Sequence, residues 1–204
     1  MKDNLTEIVA ILDRSGSMNS IIDDAIGGFN TFLKEQKECD GEANMTVVLF
    51  DDKYEVLHDN VAIDNVVDMT SDTYTPRGMT ALYDAIGKTV NTVGERLAKM
   101  DEKDRPAKVA VVIVTDGMEN ASKEFDHLKV SSMIEKQKND YSWEFIFLSS
   151  DLDAVKNAQS FGVNVRNTKG FDNTGDGVRC AYSCASSSLK SYRGGKDMSL
   201  GDND

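Results

Sequence analysis

The sequence predicts a three-layer α/β/α fold with a doubly wound, mostly parallel sheet, and three observations support this prediction. Short apolar runs that end at turn residues alternate with segments in which apolar residues recur every three or four positions. The run at 109–114 (VAVVIV) is uniformly apolar, as expected of a central parallel strand covered on both faces. With 204 residues, 40% of them apolar, the chain is long enough for one domain with a substantial core.

The predicted elements follow one another in the order that such a sheet requires. Strands are expected at 5–12, 45–50, 54–63, 109–114, 143–148 and 163–166. The strand at 54–63 follows a short turn and alternates apolar and polar residues, which predicts an antiparallel strand at the edge of the sheet. Apolar residues at helical spacing predict helices at 22–33, 82–97, 126–138, 153–160 and 178–192. We therefore expect one domain at 1–192 and a frayed polar tail at 193–204.

Composition argues against several classes of function. Lys and Arg number 23 against 35 Asp and Glu, so the net charge is −12, and an acidic chain repels the phosphate backbone of a nucleic acid. The start of the chain (MKDNLTEIVAIL) does not have the pattern of a signal peptide, and no apolar run is long enough to span a membrane. The three cysteines are interpreted as reduced thiols rather than as zinc ligands. We therefore expect a cytoplasmic protein.

Polar residues follow the first predicted strand in a pattern that suits a divalent cation. Asp13 ends the strand, Ser15 and Ser17 follow at alternate positions, and Gly16 lets the turn close tightly. Hard oxygen ligands are those that Mg²⁺ prefers, and neutral hydroxyls leave the ion most of its charge, so that it attracts a further anionic oxygen. The same residue types also cap helix N-termini, so this loop alone leaves both interpretations open.

Two further loops favour the metal site over helix capping. Thr80 precedes the helix at 82–97, and Asp116 follows the strand at 109–114. Ligands of doubly wound sheets bind at the carboxyl ends of the strands, where the strand order reverses. Three oxygen-bearing loops are therefore expected to meet at one edge of the sheet and to hold Mg²⁺, with Mn²⁺ or Ca²⁺ as alternatives.

The segments IVAILDRSGSM, TPRGMTALYDAI and VAVVIVTDGMEN, in this order, resemble the von Willebrand factor A domain with its metal-ion-dependent adhesion site. The resemblance continues through WEFIFLSSD and DAVKNAQSFGV and is closest to small stand-alone bacterial or phage members. It implies a Rossmann-like fold and five ligand positions: Asp13, Ser15, Ser17, Thr80 and Asp116, the last usually acting through water. It also implies a protein partner whose Glu or Asp carboxylate completes the metal shell.

Several neighbouring residues allow other assignments. Thr75 is an alternative ligand in the second loop, but Thr80 lies in the G-x-T-x-L setting of the family. Arg77 and Glu119 lie near the predicted rim, where they are candidates for steering a partner. Three acids are interpreted as solvated turn or helix-face residues rather than as supports of the site: Asp51, Asp52 and Asp84.

Three functions from different classes use this pattern. The first is a metal-dependent module that binds an acidic side chain of a partner protein. The second is an accessory subunit of a separate AAA-type ATPase, because related modules pair with such enzymes. The third is a metal-dependent phosphohydrolase, but Ser15 occupies the place of the second acid that the haloacid-dehalogenase-like pattern needs. No phosphate-binding loop and no catalytic residue can be assigned, so we expect no enzyme.

The final predicted helix (VRCAYSCASSSLKSY) leaves one further question open. In some relatives this helix shifts when an acidic ligand engages the ion, and small residues would permit such sliding. Close packing of the helix on the sheet explains the same residues equally well.

Overall fold

The protein, described here by a computed structural model that covers residues 1–201, contains one six-stranded sheet between two layers of helices. The strands are β1 (Lys2–Asp13), β2 (Glu42–Phe50), β3 (Tyr54–Ala62), β4 (Pro106–Thr115), β5 (Glu144–Ser149) and β6 (Thr168–Gly170). Their order in the sheet is β3-β2-β1-β4-β5-β6. Every neighbouring pair is parallel except β2 and β3, which confirms the predicted antiparallel edge strand.

Within residues 1–201, five α-helices cover the two faces of the sheet. They are α1 (Ile22–Lys37), α2 (Leu82–Lys99), α3 (His127–Tyr141), α4 (Leu152–Ser160) and α5 (Gly175–Arg193). One core cluster joins α1 and α5 to the sheet, and a second joins α2, α3 and α4 to the opposite face. Successive residues of β1, such as Ile8 and Val9, belong to different clusters. This alternation explains why the central strands are apolar at nearly every position.

The strand order reverses between β1 and β4. From β1 the chain passes through α1 to β2 on one side, whereas β4 and the later strands extend the sheet on the other side. The two strands run parallel, with Leu12 opposite Val114, so Asp13 and Thr115 end them side by side. The residues that follow these two strands are thereby brought to the position where ligands bind in such sheets.

The last strand differs from its predicted position. Residues 163–166 do not form a strand: a 3₁₀ turn covers Val165–Asn167, and β6 follows it and pairs with β5. Val163 is buried in the core, whereas 60% of Val165 is exposed. The two valines therefore do not share one face of a strand, as a strand at 163–166 would require.

The segment after α5 is partly packed rather than frayed. Met198 and Leu200 are buried against the core cluster that contains α1 and α5. The amide of Leu200 donates a hydrogen bond to the carbonyl of Arg166 at 2.9 Å. The end of the predicted tail, 202–204, lies outside the described residues, and the predicted domain boundary at 192 stays a prediction. Among residues 1–201, no helix is long and apolar enough to cross a membrane.

Candidate metal centre

The five predicted ligands lie together at the carboxyl end of the sheet. The Oγ atoms of Ser15 and Ser17 are 3.1 Å apart, and Ser17 Oγ donates a hydrogen bond of 2.6 Å to Asp116 Oδ1. Asp13 joins the group because its Oδ1 accepts a hydrogen bond from the Ser15 amide at 2.6 Å. Thr80, in the loop before α2, lies near the same group. A Cβ atom placed on Gly117, the residue after Asp116, would lie 3.5 Å from Thr80 Oγ1 and 3.8 Å from Ser17 Oγ.

Helix capping does not account for these hydroxyls. Ser15 precedes the 3₁₀ turn Gly16–Ile21, but its side chain makes no capping hydrogen bond. The residue before α2 is Ala81, so Thr80 lies one position further out, and α2 also has no side-chain cap. The serine and threonine oxygens are therefore available for another purpose.

The spacing of these oxygens suits an octahedral cation. Two neighbouring oxygen ligands at about 2.1 Å from Mg²⁺ are themselves separated by about 3 Å. The observed separation of 3.1 Å between Ser15 Oγ and Ser17 Oγ fits this requirement. Ser17 is exposed, whereas Asp13, Ser15 and Thr80 are at most 3% exposed, so the group is open to solvent on one side only.

Asp116 carries an oxygen that has no partner. The residue is only 8% exposed, and its Oδ2 atom is buried without a hydrogen bond. Burial raises the pKa of Asp116, and burial also raises the pKa of Asp13, to about 6. Both carboxylates are thus poorly solvated in their charged form, and a cation between the loops would satisfy them.

Two residues that sequence reasoning did not single out hold Asp13 in place. Thr115 Oγ1 donates a hydrogen bond to Asp13 Oδ2 at 2.5 Å. Tyr74, buried in the loop before α2, donates its hydroxyl hydrogen to the backbone carbonyl of Asp13. The alternative ligand Thr75 is exposed and donates instead to the carbonyl of Ser71 at 3.2 Å. The structure therefore favours Thr80 over Thr75.

Asp51 is a buried support of the first two loops and not a solvated turn residue. Its side chain is fully buried, and Oδ2 accepts from Arg14 Nε at 3.0 Å and from Arg77 Nε at 2.9 Å. Its backbone carbonyl accepts from the amide of Ala81 at 2.9 Å. The first loop also contacts the second directly, since the amide of Gly16 donates to a carbonyl in the second loop at 3.2 Å. Arg77, a candidate for steering a partner, thus forms an ion pair with Asp51 while 47% of its side chain stays exposed, and its steering role stays a prediction.

Asp84 and Glu119 hold the third loop against α2. Asp84 accepts backbone hydrogen bonds of 2.9 to 3.0 Å from the amides of residues 123–125. Glu119 accepts from the amide of Tyr83 at 2.9 Å and from Ser122 Oγ at 2.6 Å. The expectation that Asp84 is a solvated helix-face acid is wrong, because the residue is 8% exposed and fully engaged.

Within the described part of the chain, no group of three or more His, Cys, Asp or Glu side chains could hold a metal ion. A site here would therefore depend on hydroxyl oxygens, which is the arrangement that the sequence predicts. A concavity of about 620 Å³ between α2 and α3 is lined by residues such as Val90, Gly94 and Trp143, and it includes none of the predicted ligands.

Comparison with known proteins supports the fold. No family model matches the sequence, and no curated protein matches it either. Among solved structures, a von Willebrand factor type A protein from Catenulispora acidiphila is 12% identical, with a TM-score of 0.65, covering 92% of this chain and 43% of that one. The pilus adhesin SpaC from Lactobacillus rhamnosus GG is 12% identical, with a TM-score of 0.68, covering 94% and 31%.

The manganese-loaded TRAP protein of Plasmodium vivax is 18% identical, with a TM-score of 0.52, covering 72% of this chain and 57% of that one. The chain thus spans between about a third and somewhat more than half of the length of these proteins. The chain has the fold of a von Willebrand factor A domain, and the predicted resemblance is confirmed at that level. The metal ligands remain a prediction that the geometry of the loops supports.

Proposed function

We propose that the chain binds one divalent cation, Mg²⁺ in the first instance, and uses it to capture a Glu or Asp side chain of a partner protein. The observation that carries the proposal is the buried, unpartnered Oδ2 atom of Asp116 beside three converging hydroxyls. Buried polar atoms in native proteins usually have a partner, so an unpartnered carboxylate oxygen next to these hydroxyls supports a bound cation at this position. The manganese in the TRAP structure is consistent with a divalent ion in this fold.

Each side chain has a defined task in this proposal. Asp13 and Asp116 supply the negative charge, and Ser15, Ser17 and Thr80 supply neutral oxygens. Thr115 and Tyr74 orient Asp13 through the hydrogen bonds described above. A divalent ion held by such a set supplies a Lewis-acidic position for one further anionic oxygen. The exposed Ser17 marks the open side from which a partner approaches.

Calorimetric titration with Mg²⁺ and Mn²⁺ tests the metal site. We expect one ion per chain for the unaltered protein and no measurable binding for Asp13→Ala. Glu7→Gln is the matched control, because it removes another buried carboxylate from the same strand and does not touch the site. Circular dichroism checks that both variants remain folded. Undiminished binding by a folded Asp13→Ala protein would contradict the assigned ligands.

Affinity capture from a lysate, with Mg²⁺ or with EDTA, tests the second half of the proposal. Partners should be retained only with Mg²⁺ and only by the unaltered protein and Glu7→Gln. Retention of the same partners by Asp13→Ala in EDTA would contradict metal-dependent capture. A separate ATPase among the metal-dependent partners would assign the chain to an accessory role that uses the same site. Release of phosphate from generic substrates, lost in Asp13→Ala, would favour an enzyme instead.

A further inference from the structure

Two exposed methionines flank the candidate metal centre. Met79 directly precedes the ligand Thr80, and Met118 stands two residues after the ligand Asp116. Their exposed fractions are 56% and 48%, respectively. Single exposed apolar residues are common on protein surfaces and need no explanation. Here, however, two long thioether side chains stand next to ligands from two different loops.

Hydrogen bonds join the two loops that contain the methionines. The carbonyl of Gly78, just before Met79, accepts a hydrogen bond from Gly16, and the amide of Thr80, just after it, donates to Asn120 Oδ1 at 2.9 Å. The backbone N–H of Asn120 also donates a hydrogen bond to the carbonyl of Thr80 at 3.0 Å. This bond connects the loop that contains Met118 to the loop that contains Met79. The loop that contains Met79 is thus hydrogen-bonded both to the first loop and to the loop that contains Met118.

The two exposed methionines therefore lie on two hydrogen-bonded loops, each within two positions of a candidate ligand. Gly117 lies close to Thr80 at the same junction, since a Cβ atom placed on Gly117 would lie 3.5 Å from Thr80 Oγ1. Methionine is flexible and polarisable, and it adapts to differently shaped apolar surfaces. A surface of this kind suits contact with apolar side chains next to the captured acid.

We propose that Met79 and Met118 form an apolar rim that selects partners whose Glu or Asp is flanked by large aliphatic residues. This inference rests on the proposed function and specifies the partner of that same site. Electrostatics supply the reason for such a rim. The chain carries a net charge of −12, so its long-range field opposes the approach of an acidic segment. Short-range apolar contacts compensate for this repulsion without adding charge.

Three short peptides provide the test. One is acetyl-Gly-Leu-Glu-Leu-Gly-amide, the other acetyl-Gly-Ser-Glu-Ser-Gly-amide, and a third replaces Glu by Gln in the leucine peptide. Binding to the isotope-labelled, Mg²⁺-loaded protein is followed by nuclear magnetic resonance. We expect the leucine peptide to bind about threefold to tenfold more tightly than the serine peptide, and the Gln peptide not to bind.

The double variant Met79→Ser/Met118→Ser should lose this preference while its Mg²⁺ affinity stays unchanged. Tyr141→Ser is the matched control, because it removes an exposed apolar residue (59% exposed) at the end of α3, away from the strand ends that carry the ligands. This control should keep the preference for leucine. Both methionines are exposed, so the double variant is expected to fold normally.

The outcomes separate the two proposals. Equal binding of the leucine and serine peptides, or a preference that survives in the double variant, overturns the rim and leaves metal-dependent capture intact. Failure of both Glu peptides to bind the Mg²⁺-loaded protein, or equal binding of the Gln peptide, contradicts capture and the rim together. Mg²⁺-dependent self-association that the double variant abolishes would overturn the peptide partner in favour of a second copy of this chain.

Discussion

Glu7 allows the energetic effect of one buried charge to be measured directly. It lies within β1 and is 1% exposed, and its Oε1 accepts a hydrogen bond from Thr46 Oγ1 at 2.9 Å. Arg96 approaches the same atom to 2.5 Å, but its guanidinium also pairs with the exposed Asp59. Burial raises the pKa of Glu7 from 4.5 to about 7, and the attraction of Arg96 offsets only part of this effect. Below about pH 7, Glu7 is therefore mostly protonated in the folded protein, whereas in the unfolded protein it is mostly charged above pH 4.5.

The sign of the pH dependence follows from this shift. Between the unfolded pKa of 4.5 and the folded pKa of about 7, the folded state binds more protons at Glu7 than the unfolded state does. The contribution of Glu7 to the free energy of unfolding is complete below pH 4.5 and is lost as the pH rises through 7. At about 1.4 kcal/mol per pKa unit, the loss amounts to about 3 kcal/mol.

Urea unfolding of the unaltered protein and of Glu7→Gln, from pH 4 to pH 8 in EDTA, measures this quantity. The glutamine keeps a polar group for Thr46 but does not titrate. Asp13, whose pKa is also raised by burial, to about 6, is present in both proteins, so the difference between them isolates Glu7. We expect the unaltered protein to lose stability relative to Glu7→Gln as the pH rises. Parallel curves, or the opposite slope, would refute the reasoning.

Three further perturbations have defined outcomes. Tyr74→Phe leaves the carbonyl of Asp13 without its donor, so we expect a loss of about 1 to 3 kcal/mol in urea unfolding and weaker Mn²⁺ binding by calorimetry. Gly28→Ala places a Cβ atom too close to Cδ2 at the edge of the Tyr182 ring, and a loss of about 1 to 3 kcal/mol in thermal unfolding is expected; an unchanged melting temperature would contradict this contact. Asp84→Ala frees three backbone amides, which should then exchange hydrogen faster than in the unaltered protein.

The sequence predicted the layers of this fold because hydrophobic periodicity reports burial. Uniformly apolar runs such as 109–114 occur only where both faces of a strand are covered, and β4 meets this condition. The sequence did not predict the position of β6, because this strand has only three residues, TKG, with no apolar alternation. The packing of Met198 and Leu200 was missed for a similar reason, since two apolar residues in a polar tail carry no period.

The candidate ligands could be named from the sequence because four of them lie at or just after strand ends and Thr80 precedes a long helix, whereas their supports could not. Tyr74 lies in a loop without a period, and its bond to Asp13 joins residues 61 positions apart. In the sequence, Asp51 is one of two acids in a turn that is expected to be solvated. In the folded protein, Arg14 and Arg77 pack against the buried Asp51 and form ion pairs with it. Contacts of this kind depend on tertiary packing, and spacing along the chain does not report them.

The joining of β1 and β4 at their carboxyl ends has a consequence for how the protein is made. Ser17 and Asp116 are 99 positions apart, and Asp13 and Thr115 are 102 apart. A growing chain on the ribosome therefore carries four of the five candidate ligand residues before its fourth strand is made, but it lacks Asp116 until that strand has emerged and paired with the first. A chain that stalls earlier lacks the complete centre, so it should neither bind the ion nor engage an acidic partner before its fold is complete.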